Sequence, residues 1–513
     1  MHLQLQQINK YNNPTMRQKF FIFGIVVVTS TSILYYYNFI GPITPILLLI
    51  ILAIGYFNSQ QQKHAILRNF PVLGYFRYLF EMIAPEIQQY FIERTTDGKP
   101  FSRNERSLVY QRSKNINSTT AFGTQLDLNH TSYEGIKHSM FPKKVNEELP
   151  RVLVGGVDCK QPYSASLLNI SAMSFGSLSE NAVKALNLGA QKGGFYHNTG
   201  EGGITEYHLQ GGDVTWQIGT GYFGCRNSEG HFDADKFSEK ANLPAVKMIE
   251  IKLSQGAKPG HGGVLPAQKN TLQIAKIRGV EPFTTILSPP SHSAFTDYKG
   301  LIEFIAQLRL LSNGKPIGFK LCVGDTSDFE KLCQEMIGQN CFPDFITVDG
   351  AEGGTGAAPL EFADGVGMPF EPALIFVNKT LVSLGIRDKI RIICSGKIIS
   401  GHSILRAIAL GADICNSARG FMFSLGCIQA LRCNNNECPT GVATQDKMLM
   451  KGLVVTDKFD RVFHFHKNTL HAANELLAAA GKNNFSEVDI SIFMRGDEFD
   501  NLSNLYFPDN LKN

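Results

Sequence analysis

From Leu167 onward the chain alternates short apolar runs with amphipathic segments, and this alternation limits the possible folds more than any other feature. The runs are LLNIS (167–171), KMIEIKL (247–253), PIGFKLC (316–322), FITVD (345–349), IRIICS (390–395) and ICNSA (414–418). Between them lie SENAVKALNLGAQKGG, LIEFIAQLRLLSN, DFEKLCQEMIGQ and SGHSILRAIALGA; in the last, Ile404, Ala407 and Ile408 share one helical face. Strands separated by helices must run parallel, because each crossover returns the chain to the same end of the sheet. Six such units within about 260 residues predict an α/β fold, a (β/α)8 TIM barrel with insertions, and 151–450 is assigned to it.

In such a barrel the chemistry sits in the loops after the strands. AMSFGSLS follows the first strand, SQGAKPGHGG the fourth and DGAEGGTGAAP the sixth; Lys320 lies on the fifth. SGKIISG follows the seventh and the eighth runs into SARG. One glycine cluster alone reads more readily as a plain turn, but several on one barrel face favour backbone brought close to a ligand. Glycines with serine, Lys397 and Arg419 at the last two strands suit a phosphate group, with backbone N–H groups as donors.

Upstream, Phe20 to Gln62 contains no Asp, Glu, Lys or Arg. Phe20–Ile40 spans ~30 Å as a helix, the thickness of a bilayer core. Pro42–Phe57 is shorter and richer in Leu and Ile, and Gly41, Pro42 and Pro45 favour a turn between the two. Lys10, Arg17 and Lys19 precede the pair; Lys63, Arg68 and Arg77 follow it. Positive flanks at both ends predict a transmembrane helical hairpin with both ends in the cytoplasm, hence a multi-pass protein of the inner (cytoplasmic) membrane with a cytoplasmic body. A cleaved signal peptide is the competing reading, disfavoured by the length of the apolar run and by the second run behind it. The resulting division is 1–19 as a cytosolic N-terminus, 20–57 as two membrane helices, 58–150 as a linker with an amphipathic aromatic stretch, the barrel, and 451–513 as a C-terminal helical extension.

Charged residues make up 18% of the chain and the net charge is +4, with no block of like charge, so nucleic acid is not an expected partner. The ten cysteines are spread through strands and helices of a large chain, a pattern typical of a reducing compartment. Three of them, Cys427, Cys433 and Cys438, break the pattern, with C-x5-C-x4-C spacing in a loop rich in Asn. Soft thiolates at short spacing select zinc or iron–sulfur. Zinc sites more often use C-x2–4-C pairs with a fourth ligand, and no His lies between Cys427 and Gln445. Three thiolates and a following proline point to a [3Fe-4S] cluster, with three packed structural thiols as the bland alternative.

The triplet, NTGEGG (198–203), KLSQGAKPGHGG (252–263), SPPSH (288–292), DGAEGGTGAAP (349–359) and GVATQ (441–445) together resemble the FMN-binding synthase domain of glutamate synthase, over about residues 150–450. The stand-alone, membrane-anchored arrangement is similar to glutamate-synthase-like proteins that carry this domain alone. The resemblance implies FMN in the barrel mouth and a [3Fe-4S] cluster beside it, passing electrons to 2-iminoglutarate formed from 2-oxoglutarate and ammonia. It places Ala172, Met173 and Ser174 along the flavin, Lys320 near its ring, and Ser395, Gly396, Ala418 and Arg419 near its phosphate. It gives Lys258 the role of pairing with a substrate carboxylate and polarising the keto or imino group, and Glu201 that of positioning ammonia or moving protons.

Three departures stand out. Full-length relatives begin with a nucleophilic cysteine that releases ammonia from glutamine, whereas this sequence starts Met1-His2 and then runs into the hairpin, so ammonia is expected from solution or a partner. Val264 stands where the family carries glutamine, and His261 where it carries an acid, which leaves open a different keto or amino acid such as an N-substituted glutamate. No G-x-G-x-x-G fingerprint follows a strand, so reductant is expected from ferredoxin, a partner flavoprotein or the quinone pool rather than directly from a nicotinamide. An IMP dehydrogenase-like role lacks its cysteine after the sixth strand, and a hydroxyacid oxidase leaves the triplet unexplained. A non-catalytic membrane redox protein is the remaining alternative, opposed by the retention of Glu201 and Lys258.

Overall fold

The computed structural model describes residues 14–116, 119–128, 130 and 133–495; Lys10, the rest of 1–13, and 496–513 lie outside it. The chain divides into two units, Met1–Gly98 and Lys99–Asn513. The first contains α1 (Met16–Tyr36) and α2 (Ile43–Gln60), both long and apolar enough to cross a membrane. The Thr15 hydroxyl caps α1 by accepting from the Gln18 N–H at 3.3 Å. α1 ends earlier than the apolar run does, because Asn38 turns into the left-handed region at φ 59°. The two helices touch at small residues: a side chain on Gly24 would meet Leu52, and one on Gly55 would meet Phe20. Further along the same unit, helix Gly74–Ile87 leaves Phe76, Phe80 and Met82 exposed.

The second unit is a closed barrel of eight parallel strands. These are β1 (Leu168–Ile170), β2 (Tyr196–Asn198), β3 (Asp213–Ile218), β4 (Val246–Lys252), β5 (Ile317–Leu321), β6 (Phe345–Asp349), β7 (Arg391–Ser395) and β8 (Ile414–Ser417). The six expected strands are all present. β2 and β3 were not among the apolar runs; β2 reads YHN and ends on the first residue of NTGEGG, and β3 reads DVTWQI. The surrounding helices include α3 (Arg103–Ser113), α4 (Glu180–Gly193), α5 (Ala234–Ala241), α6 (Tyr298–Leu311), α7 (Thr326–Gly338), α8 (Phe370–Ser383), α9 (Gly401–Ala409), α10 (Arg419–Leu425) and α11 (Val455–Ala479). α11 lies in the stretch read as a C-terminal extension, yet it buries Val462, Phe465 and Leu470 against α4, α9 and α10 and closes the helical ring. α3, from the stretch read as linker, packs on α10 and α11.

The interior is layered, and the layers change in polarity from bottom to top. Strand side chains repeat every two residues, and in a barrel alternate strands fill each layer. Tyr196, Met248, Phe345 and Ile414 make an apolar floor, sealed by the hairpin Arg151–Val154/Tyr163–Ser166 through Val154, Tyr163 and Ala165. Two residues further along the same strands stand Asn198, Glu250, Thr347 and Asn416. Glu250 is 1% exposed, and its carboxylate accepts from Asn198 Nδ2 (2.9 Å), Gln217 Nε2 (2.6 Å) and the Thr347 hydroxyl (2.6 Å). The Tyr196 hydroxyl, rising from the floor, donates to Asn416 Oδ1 at 2.6 Å. Two residues further again come Lys252 and Asp349, at the mouth.

Glu250→Leu would strip one acceptor from three buried donors, each costing about 1–3 kcal/mol when left unpaired. Thermal unfolding of the detergent-solubilised chain should show a large fall in Tm; an unchanged Tm would mean that the polar layer does not hold the barrel.

Candidate active site at the barrel mouth

A cavity of about 480 Å³ opens at the C-terminal end of the strands, within the size range of small-molecule sites. Every strand or the loop after it contributes: Ser171, Glu201, Gln217, Lys258, Lys320, Asp349, Ser395 and Asn416 stand one for each, from β1 to β8. Of the residues singled out in the sequence, Ala172, Met173, Ser174, Glu201, Lys258, Val264, Lys320, Ser395, Gly396, Lys397, Ala418, Arg419, Cys427, Cys433 and Cys438 line this one cavity, whereas His261 is not part of its lining. The loops can converge because glycines let backbone touch backbone. A Cβ on Gly256 would overlap the Gly350 carbonyl, and one on Gly200, at φ 63°, would come within 2.6 Å of the Ser174 nitrogen.

One side of the mouth is a cluster of buried charge. Lys252 Nζ lies 2.8 Å from Glu201 Oε1, with the two side chains 8% and 19% exposed. Lys320 Nζ lies 3.6 Å from Asp349 Oδ2, which also accepts the Gly256 N–H at 2.9 Å. Arg278 is held by the Phe175 carbonyl at 3.0 Å, with its guanidinium 5.0 Å from the Phe223 ring centre. Burial pushes the Glu201 carboxyl up, but the Lys252 charge and hydrogen bond, with Arg278 and Lys258, outweigh it and hold the carboxyl below its ordinary range. Burial lowers Lys252 despite Glu201, and neighbouring Lys320 lowers it further. Burial brings Lys258 down to about 8 against the pull of Glu201. The Lys258 ammonium donates to the carbonyls of Gly262 (2.8 Å) and Ala357 (3.2 Å), which fixes it between the loops after β4 and β6. His292 bonds the Lys252 carbonyl (2.9 Å) and the Tyr222 hydroxyl (3.0 Å); burial takes it down to about 4, so it is neutral at physiological pH.

The opposite end carries Ser395, Gly396, Lys397, Ser417, Ala418 and Arg419. Arg419 Nη2 donates to the Glu352 carbonyl at 2.6 Å, leaving the rest of the fork facing the cavity wall beside Gly354. The third wall is the cysteine loop. Cys427, Cys433 and Cys438 are free thiols. Burial raises Cys427 to about 12, and burial with the nearby Cys438 raises Cys433. Cys438 falls below its ordinary value, because the Thr440 hydroxyl and the N–H groups of Thr440, Val442 and Ala443 overcome burial. Lys269 is buried between the Ser177 (3.2 Å) and Ala443 (2.9 Å) carbonyls, close enough to Cys433 and Cys438 to feel both. Among the described residues no three Cys, His or acidic side chains stand at the spacing of a single-ion site.

A model of the conserved region of glutamate synthase matches residues 110–483. This chain belongs to the glutamate synthase family. A glutamate synthase large subunit-like protein of Bacillus subtilis (strain 168), YerD, is 39% identical over 468 residues, 83% of this chain and 89% of its own length. The archaeal glutamate synthase (NADPH) of Archaeoglobus fulgidus is 34% identical over 316 residues, 61% of this chain and 58% of its own, so the chain spans little more than half of that relative. Among solved structures, a flavocytochrome b2 with pyruvate bound aligns over 81% of this chain and 85% of its own at 14% identity and a TM-score of 0.44, too distant to bear on the site.

Sequence reasoning assigned no role to Lys252, Asp349, Arg278 or Lys269. The first two close strands β4 and β6, where a charged residue ending an apolar run is itself a signal; Arg278 and Lys269 come from the insertion after β4 and carry no such mark.

Lys252→Met removes the main influence lowering Glu201. The pair's contribution to stability is present at neutral pH and is lost as the pH falls through the depressed Glu201 value, below 4.5. Breaking a buried pair costs about 3–5 kcal/mol. Melting temperatures measured from pH 8 to pH 3 should therefore show the variant far below wild type at neutral pH, with the gap narrowing in acid; a constant gap would count against the pairing.

Proposed function

We propose that the chain is an FMN-dependent, iron–sulfur-assisted oxidoreductase that reductively aminates 2-oxoglutarate to glutamate, using ammonia from solution or a partner protein. The observation that carries the reading is charge. Four cations, Lys252, Lys258, Lys320 and Arg278, face two carboxylates, Glu201 and Asp349, which leaves two positive charges in excess in a buried cluster. Such an excess attracts anions, and a dicarboxylate keto acid supplies two negative charges.

The cavity fits a flavin mononucleotide in chemistry as well as volume. Arg419, Lys397, Ser395 and the Gly396 backbone would hold the phosphate, Ala172, Met173 and Ser174 would flank the ring, and Lys320 would place a positive charge near it. Bound there, the flavin supplies the two-electron equivalent that reduces a C=N bond. The cysteine wall fits a cluster in donor type: three soft thiols, one of them with a lowered pKa, beside a buried ammonium. Cys427, Cys433 and Cys438 would hold a [3Fe-4S] cluster relaying single electrons.

The chain's own groups do the rest. Lys258 would bind a substrate carboxylate or polarise the keto oxygen, and later the imino nitrogen, through its ammonium. With its pKa near 8, it can also give up the proton that the nitrogen takes as the C=N bond becomes CH–NH. Glu201, ionised and fixed by Lys252, would accept hydrogen bonds from incoming ammonia and take its proton on addition to the carbonyl carbon. The electron donor would be ferredoxin or a flavoprotein. The hairpin α1–α2, flanked by Arg17 and Lys19 on one side and Lys63, Arg68 and Arg77 on the other, supports a multi-pass location in the inner membrane with the body in the cytoplasm.

Val264 favours a second reading. It lines the cavity, where an apolar side chain leaves room for a substituent on nitrogen, so the product would be an N-substituted glutamate. Turnover with methylamine exceeding that with ammonia would select this reading.

The anaerobically purified chain should be yellow, with flavin absorption and the EPR signal of an oxidised three-iron centre; material with neither iron nor flavin overturns the proposal. In viologen-driven assays Lys258→Met should lower kcat by about 10²–10³-fold. Apparent affinity for 2-oxoglutarate should weaken as pH rises through about 8, where Lys258 loses its charge. A flat profile from pH 7 to 9 would remove Lys258 from this role.

A further inference from the structure

The family match begins at residue 110, yet the cavity does not. Pro100 and Phe101, the second and third residues of the barrel unit, line it. Phe101 is fully buried, and its ring faces two cations of the proposed phosphate end: the Arg419 guanidinium at 4.8 Å and the Lys397 ammonium at 5.7 Å from its centre. Behind it, Phe423 meets the ring edge to face at 5.2 Å. The backbone is held as firmly as the ring. The Gln429 amide accepts the Phe101 N–H at 3.2 Å and donates to the carbonyls of Phe101 (3.1 Å) and Lys99 (3.2 Å). Gln429 itself sits at φ 59°, a conformation that costs a non-glycine residue energy and is retained where surrounding contacts hold it.

We infer that Phe101, outside the conserved region, is a positioning residue for the phosphate of the bound cofactor: its π face holds Arg419 and Lys397 in place, and Gln429 locks it there. The inference rests on the flavin reading above. Two cations side by side repel, and Lys397 is lowered by burial first and by Arg419 next. The negative π density of a ring within reach of both offsets that repulsion before any phosphate arrives, so the pair is pre-formed rather than gathered on binding.

The test uses the full-length detergent-solubilised chain stripped of flavin and titrated with FMN and with riboflavin, which lacks the phosphate. Phe101→Leu fills space without a π face, and should weaken FMN by about 2- to 30-fold while leaving riboflavin unchanged. Phe101→Tyr should restore FMN binding, and Gln429→Ala should reproduce the FMN-selective loss. If Phe101→Leu binds FMN as wild type does, or loses both flavins alike, the ring is ordinary packing and the inference fails. If the wild-type chain binds neither flavin, the cofactor reading itself falls.

Discussion

The site depends on an unbalanced set of buried charges at one end of a barrel. Isolated charges in a protein interior are costly, and paired ones only break even when hydrogen bonds satisfy what the partner does not reach. Here Lys252 leans on Glu201, Lys320 on Asp349, and Lys258 on two loop carbonyls, so each cation is held by something other than the ligand it would bind. That arrangement keeps the cluster formed while leaving its surplus charge unmet. The same burial that raises the cost draws Lys258 to about 8, near the pH at which a group can both carry and release a proton.

The layers beneath make this possible. An apolar floor of Tyr196, Met248, Phe345 and Ile414 supplies the hydrophobic burial. The charged mouth does not rest on it directly, because ammonium and carboxylate groups need polar neighbours. Asn198, Glu250, Thr347 and Asn416 provide that middle step, and Glu250 does so with neutral donors only. Polarity therefore rises by two-residue steps along the same strands, which is how one strand serves both folding and chemistry.

This layering also explains what could be read from the sequence and what could not. β4 to β8 were legible because their outward faces pack on helices and read as continuous apolar runs: Ile249 and Ile251, Ile346 and Val348, Ile392 and Cys394. β2 contributes only Tyr196, His197 and Asn198, too short and too polar to read as an apolar run, and β3 breaks its apolar Val214, Trp216 and Ile218 with Thr215 and Gln217, although both strands are almost wholly buried. α11 was legible as a helix but not as part of the ring, since nothing local reveals which neighbours will cover Val462 and Phe465. In the site, motifs identified the groups that lie in loops. Phe101 and Arg278 lie outside any motif and reach the cavity through tertiary packing alone.

The walls of the cavity are braced to one another through single side chains. Gln445, just past the cysteine loop, donates to the carbonyls of Gly176 (3.1 Å) and Leu178 (2.8 Å) in the loop after β1. Lys269 ties Ser177 in that loop to Ala443 in the other. On the far side, the Tyr110 hydroxyl donates to the Cys427 carbonyl at 2.6 Å, and Gln429 grips Phe101. The thiol wall is thus fixed at both ends against the segments that line the rest of the cavity. Lys269 adds to this: as a buried ammonium touching two carbonyls, it braces the loops and places a positive charge beside Cys433 and Cys438, where thiolate charge would gather.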